Sequence, residues 1–332
     1  MCTNFTCRPA QDGTVVVGRS MEFPPGVPWN LAVVPADHAG TATLDAAHAL
    51  TWTATHGIVG VSAFGRTEWI LDGLNTAGLS GHTLYMDGGF CLYADIAGSH
   101  CLSEVDVLTY LLGTCATLAE VRQAIADVAI CGVDPGLGFV PPVHYLLHDA
   151  TGSLAIELHE GGEARVVDNP WGAGTNSPYL DWHLVNVRNY VGLTGTNPDA
   201  VRVDGVDIAP LGQGQGLKAL PGSYTPPDRF VRAAVFTQLA NQAADGAAAE
   251  QLAAHILNTF DIVPGVVREH TPAGASYEQT DWATISNLTQ GRYAYRSFED
   301  QRWYVIDLHA TDFSSARTAA LSTATAFTPA TI

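Results

Sequence analysis

The chain has 332 residues, 47% hydrophobic and 14% charged, with 33 glycines and 18 prolines, enough apolar material to bury a large core. Fifteen basic against 33 acidic residues leave a net charge of −18, which excludes a broad basic face for nucleic acid, so an anionic substrate must be met by a few local arginines. No stretch reaches the roughly 18 apolar residues of a membrane helix, and the N-terminus lacks the basic and apolar regions of a signal peptide. A cytoplasmic location is expected, or a periplasmic one if a natural leader has been removed ahead of Cys2. No linker, charge block or internal repeat interrupts the chain, and its alanine-rich stretches fall in expected helices or in the tail from Ala316, so one domain over residues 2–332 is expected.

In chain order, Cys2 to Cys7 reads as a strand hairpin-paired with the Val15-Val16-Val17 run across the turn Gln11-Asp12-Gly13. Further strands are expected near 31–35, 57–63, 69–74 and 78–85. A helix from Ser103 to Leu112 precedes the capping box Thr117-Leu118-Ala119-Glu120, which opens a helix to about Val128. Strands follow near 143–148, 153–158 and 163–167; Thr225-Pro226-Pro227-Asp228 caps a helix to about Leu239, and another spans Ala247 to Asn258. Strands near 282–288, 292–296 and 303–308 close the series. So many hairpin-connected strands predict an α+β fold in which two antiparallel sheets pack face to face with helices outside.

Cys2 carries the most chemistry. If Met1 is removed, this residue holds both a thiol and a free α-amine, a nucleophile and its own general base. Reference values for the two groups, about 8.5 and about 8, allow proton exchange near neutral pH. An N-terminal strand in a central sheet fits a working terminus, since chain ends otherwise fray at the surface. The other cysteines, at 7, 91, 101, 115 and 131, form no Cys-x-x-Cys pair and read as free thiols, with Cys7 in the core. His144 and His148 have a metal-binding spacing for a helix, but on the expected strand they stand about 13 Å apart. Phe64 stands where a nucleophile elbow around Ser62 needs glycine, and Gly212 to Leu217 has the wrong spacing for a dinucleotide loop. No metal and no cofactor is expected.

Six segments, in order from Cys2 to about His309, carry a family resemblance: Met1-Cys2-Thr3, Gly18-Arg19-Ser20-Met21-Glu22, Asp72-Gly73-Leu74-Asn75, Gly174-Thr175-Asn176-Ser177-Pro178, Leu211-Gly212-Gln213-Gly214 and Asp228-Arg229-Phe230-Val231-Arg232. The chain resembles the choloylglycine hydrolase and penicillin V acylase family, N-terminal-nucleophile hydrolases that cleave linear amides. The resemblance implies the four-layer αββα sandwich, a homotetramer, and Cys2 as nucleophile with Arg19 beside it. It places Asn176 and the backbone N–H at Tyr85 in the oxyanion hole and Arg229 as the second active-site arginine, with Arg232 structural. Glu22 occupies the place of an aspartate that binds the α-amine, one methylene longer. Met21 and Phe64 match acyl-pocket positions and read equally as core or strand residues. Tyrosine at position 85 points to a penicillin V acylase-like enzyme acting on a small-molecule amide with an apolar acyl group. The alternatives are a conjugated bile-salt hydrolase, an N-acyl-homoserine lactone acylase and, from another class, a silent small-molecule binder disabled by Glu22.

Overall fold

Val16–Phe23 forms a strand with antiparallel neighbours on both edges. Cys2–Thr6 lies on one side, with Cys2 opposite Met21 and Asn4 opposite Arg19, and the long strand Gly274–Asn287 lies on the other. The computed structural model describes residues 1–98, 100–271 and 274–324. Ala173–Gly174 adds to the outer edge of Cys2–Thr6, while Arg292–Ser297, Tyr304–Asp307 and Val267–Thr271 complete this first, seven-stranded sheet. The second sheet has eight antiparallel strands in the order Glu163–Asp168, Gly152–His159, Val143–Asp149, Ser80–Tyr85, Ile70–Asn75, Ile58–Ala63, Trp29–Val34 and Arg317–Ala320.

The central strands of the second sheet read as continuous apolar runs because both of their faces are covered. Alternation along each strand then divides the residues between two cores. Val59, Val61, Leu74, Leu84, Leu146 and Ala155 point at the first sheet. Ile58, Ile70, Tyr145, Leu147, Leu154 and Ile156 point outward, against the helices Val107–Thr114 and Leu118–Ala126. Pro226–Leu239 and Gly246–Leu257 cover the outer face of the first sheet, so helices, sheet, sheet and helices form four layers. Full burial of each large apolar side chain contributes about 1.5–3 kcal/mol to holding the layers together. Gly60 permits the close approach of two strands, since a Cβ there would lie 2.1 Å from the carbonyl oxygen of Asp72.

The expected strands and helices are present with shifted ends. The helix expected from Ser103 begins at Val107, because Cys101–Ser103 pairs in parallel with Ala129–Cys131 and Asp106 turns its carboxylate onto the Thr43 amide. The Thr117 hydroxyl accepts from the Glu120 amide at 3.3 Å, while Glu120 reaches back to the amide of Ala116, one residue earlier than a standard box. Thr225 makes no side-chain cap; its hydroxyl is engaged by Ser223, and the proline in the first turn starts the helix. The helix Leu180–Asn186, the edge strand Arg317–Ala320 and the separate hairpin Val201–Val203 with Val206–Ile208 have no counterpart in the sequence reading. The end of the alanine-rich tail, beyond residue 324, lies outside the described residues. Among the described residues no helix is long and apolar enough to cross a membrane.

Candidate active site

The two-residue period of a strand puts Cys2, Asn4, Arg19 and Met21 on one face of the first sheet, turned toward the second. Cys2 is 2% exposed and Arg19 fully buried. Arg19 Nη2 donates to Cys2 Sγ at 3.5 Å and to the carbonyl oxygen of Thr83 at 2.8 Å, and Met21 Sδ lies 3.7 Å from the thiol. A buried guanidinium needs a counter-charge, and Asp72 of the second sheet supplies it at 3.6 Å from Nη1. The Trp282 ring covers the guanidinium at 4.3 Å. Asp72 accepts from the Tyr293 hydroxyl at 2.5 Å and bonds His82 Nδ1 at 2.6 Å. Burial pushes the Asp72 carboxyl up, but His82, Arg19 and the Tyr293 hydroxyl outweigh it and hold the group below its usual range. Asp72 lies in a motif the sequence singles out without assigning it a task.

Asn176 reaches Cys2 because Ala173–Gly174 pairs with Cys2–Thr6, Gly174 opposite Asn4. Gly174 has no room for a side chain, since a Cβ there would meet Leu146 Cδ1 at 2.0 Å. Asn176 Oδ1 accepts from the Cys2 amide at 3.1 Å and from Arg229 Nη2 at 2.5 Å, and its Nδ2 donates to the Tyr85 carbonyl at 2.7 Å. It is not the local turn former that Asn before Ser-Pro also suits. His144 Nε2 donates to the Thr175 carbonyl at 3.1 Å and His183 Nε2 to that of Asn176 at 3.0 Å, fixing this backbone from below. Burial pushes both imidazoles down to about 4, so they stay neutral at physiological pH. His148 is turned to other partners, Asn4 Oδ1 at 2.6 Å and Ser153 Oγ at 2.6 Å.

Arg229, in the first turn of Pro226–Leu239, is fully buried and ties four groups together. It donates to the carbonyl of Cys2, to Thr3 Oγ1 at 2.9 Å, to Asn176 and to the Tyr224 carbonyl at 2.8 Å. Arg232, one turn on, donates to the Ser223 carbonyl at 2.7 Å and sits over the Phe260 ring. Cys7 is buried away from these groups, and burial pushes its thiol up to about 12.

Met1 continues the ladder: its amide-equivalent nitrogen donates to the Glu22 carbonyl at 2.6 Å while the Glu22 amide donates to the Met1 carbonyl at 2.9 Å. The ammonium also meets Glu278 Oε2 at 2.8 Å, a partner the sequence did not offer. The Glu22 side chain points to the opposite face from Arg19, buried, with Oε1 at 3.5 Å from the Thr280 hydroxyl. Burial pushes its carboxyl up to about 7, against the pull of Arg229, the N-terminal ammonium, Ser20 and Arg19. Between its ordinary value of 4.5 and about 7 the folded chain holds a proton that the unfolded chain has released, so this group makes stability fall as pH rises through that window. Glu22→Gln removes the dependence. In paired denaturant titrations from pH 4.5 to 7.5 the stability of the variant relative to the parent should rise by about 3 kcal/mol, and a flat difference would contradict the raised value.

A cavity of about 200 Å³ opens beside the thiol, lined by Cys2, Met21, Phe64, Tyr85 and mostly apolar neighbours such as Leu71 and Val143. Both expected pocket residues are thus in its wall, Phe64 with φ at 58° and stacked edge-on to Trp69. Cys2, Arg19, Asn176, Arg229 and Tyr85 converge at one place; Glu22 flanks it from the helix side. The model of the linear amide C–N hydrolases, choloylglycine hydrolase family, matches residues 2–320. The chain belongs to this choloylglycine hydrolase family. The hydrolase is 26% identical over 318 residues to a bile salt hydrolase/transferase of Clostridium perfringens, covering 93% of each chain. Its fold matches a mutant conjugated bile acid hydrolase from Clostridium perfringens with a TM-score of 0.87 at 24% identity over 100% of both chains. It also matches a penicillin V acylase from Agrobacterium tumefaciens with a TM-score of 0.77 at 22% identity, over 96% of this chain and 90% of that one. The four layers are therefore the expected αββα sandwich, shared with these solved hydrolases, and the enzyme acts on carbon–nitrogen bonds of linear amides.

Proposed function

We propose that Cys2, freed by removal of Met1, is the nucleophile of an amide hydrolase that works through a thioester. The carrying observation is a buried thiol 3.5 Å from Arg19 Nη2, on a residue whose nitrogen lies 3.1 Å from Asn176 Oδ1. While Met1 is present that nitrogen is a peptide amide with no lone pair to act as base. Once freed, it takes the thiol proton as Sγ bonds to the amide carbon, and delivers that proton to the leaving nitrogen as the C–N bond breaks. The amine then deprotonates a water that attacks the thioester, which restores the thiol and releases the acid. Arg19 favours the thiolate by its charge. The second hydrogen on Asn176 Nδ2 and the backbone N–H of Tyr85 serve the oxyanion, and Arg229 fixes the Cys2 carbonyl and turns Asn176. Glu22 faces the ammonium of the processed terminus as a counter-charge.

The apolar wall around Met21 and Phe64 supports an apolar acyl group, and Tyr85 supports a penicillin V acylase-like preference. The identity over nearly the full length of the Clostridium perfringens relative favours a second reading, conjugated bile salts. The exposed valines of the hairpin Val201–Val203 and Val206–Ile208, which joins neither main sheet, support assembly into the homotetramer. The test is amine release by Met1-processed protein from penicillin V, a taurine-conjugated bile salt and a long-chain acyl-homoserine lactone side by side. Penicillin V is expected to turn over fastest; faster release of taurine would establish the second reading, and no release from any would sink both.

A further inference from the structure

Met1 is seated as a bound cation would be. Its ammonium donates to Glu278 Oε2 at 2.8 Å and to the Glu22 carbonyl at 2.6 Å, and the Met1 and Glu278 side chains each keep 17% exposure, so the seat opens to solvent. The peptide bond fixes where the seat lies. Like atoms of an extended chain repeat every roughly 3.3–3.6 Å, which is the distance from the seat to the Cys2 nitrogen. Once freed, that nitrogen hands its proton to the leaving nitrogen across roughly 2.6–3.2 Å. The scissile nitrogen of a bound amide therefore stands at most roughly 7 Å from the seat, a span that an amine with three or four carbons ahead of its ammonium covers.

The charges around the seat have one sign. Burial, and after it the charges of Asp87, Glu269 and Glu278, push the Tyr85 hydroxyl up, so three carboxylates act on a residue of the cavity wall. Among the described residues that line the cavity there is no Lys or Arg. Arg229 feels the charge of Glu278, but its three nitrogens are committed to Tyr224, Cys2, Thr3 and Asn176. An anionic amine part thus meets carboxylates and no unspent guanidinium, whereas an ammonium replaces the one that leaves with Met1.

We propose that the seat vacated by Met1 is the leaving-amine subsite, and that Glu278 makes it select amides whose amine part carries an ammonium a few carbons from the scissile nitrogen. This rests on the reading of Cys2 as nucleophile and adds the amine half of the substrate, with the apolar cavity taking the acyl half.

The test uses enzyme shown by intact mass to lack Met1 and compares kcat/KM at pH 8 for the phenoxyacetyl amides of putrescine, pentylamine and δ-aminovalerate, which differ only in a terminal ammonium, methyl or carboxylate. The putrescine amide should exceed the pentylamine amide by roughly tenfold and the δ-aminovalerate amide by more. In Glu278→Gln the first ratio should fall to within roughly twofold, and in Glu278→Lys the δ-aminovalerate amide should overtake the putrescine amide. Equal rates in the parent, no turnover of any of the three, or ratios unchanged in both variants overturn the subsite. A uniform loss across the three amides in Glu278→Gln also overturns it, since that is the result of a carboxylate serving the Cys2 amine alone. Each of these leaves the nucleophile standing if Cys2→Ala abolishes amide turnover, while turnover that survives Cys2→Ala overturns the reading beneath.

Discussion

Cys2→Ala is expected to lower turnover by a factor on the order of 10⁴ to 10⁶, leaving only the residue of catalysis that an oxyanion hole and binding provide without a nucleophile. The size follows from the position of the thiol. It is buried beside the cavity, Arg19 is its charged neighbour, and the described thiol nearest in sequence, Cys7, is locked in the core with its proton held to about 12. Cys7→Ala should therefore keep most activity and cost about 1 kcal/mol of stability. Intact mass after brief exposure to substrate should show an acyl adduct on the Met1-processed parent and none on Cys2→Ala. The reverse pattern between the two cysteines would relocate the nucleophile.

Arg229→Met should be the most damaging single change away from the thiol, costing about 3–5 kcal/mol of stability as well as most of the activity. The guanidinium is the common donor to the Cys2 carbonyl, Thr3, Asn176 and Tyr224, all buried or partly buried, and its charge faces the Glu22 carboxyl. Methionine fills much of the volume and supplies none of the donors, so each acceptor is left desolvated and Glu22 loses its main attractive charge. Lysine restores the charge but places it at a single point, where the arginine fork spans several acceptors. Arg229→Lys should recover less than half of the loss. Urea unfolding of the three proteins measures this directly, and a methionine variant as stable as the parent would refute the assignment.

The residues most exposed to view in the sequence are those whose setting is local. Cys2, Arg19 and Met21 share a hairpin with a clear turn and strand period, and Arg229 sits in a helix start marked by two prolines. Residues made important by distant pairing were silent. Glu278 meets the Met1 ammonium only because Gly274–Asn287 lies against Val16–Phe23 with a register shift between Thr280 and Trp282, and no local pattern encodes that shift. Asp72 could be placed on a strand, but the identity of its partner depends on how two sheets stack. Arg317–Ala320 reads as an alanine-rich tail because its strand character comes from the exposed edge of Trp29–Val34 and not from its own propensity.

The groups at the thiol and the walls of the cavity come from different kinds of chain. Cys2 and Arg19 stand on central strands and Arg229 on a packed helix, whereas Val27, Phe64, Pro135, Leu137, Phe139 and Pro141 reach the cavity from turns and connecting segments. Connecting segments accept insertion and replacement far more readily than paired strands do. The scaffold thus separates what must stay constant from what is free to drift, and a lineage built on it can exchange one acyl preference for another by rewriting the rim while the reacting atoms keep their places.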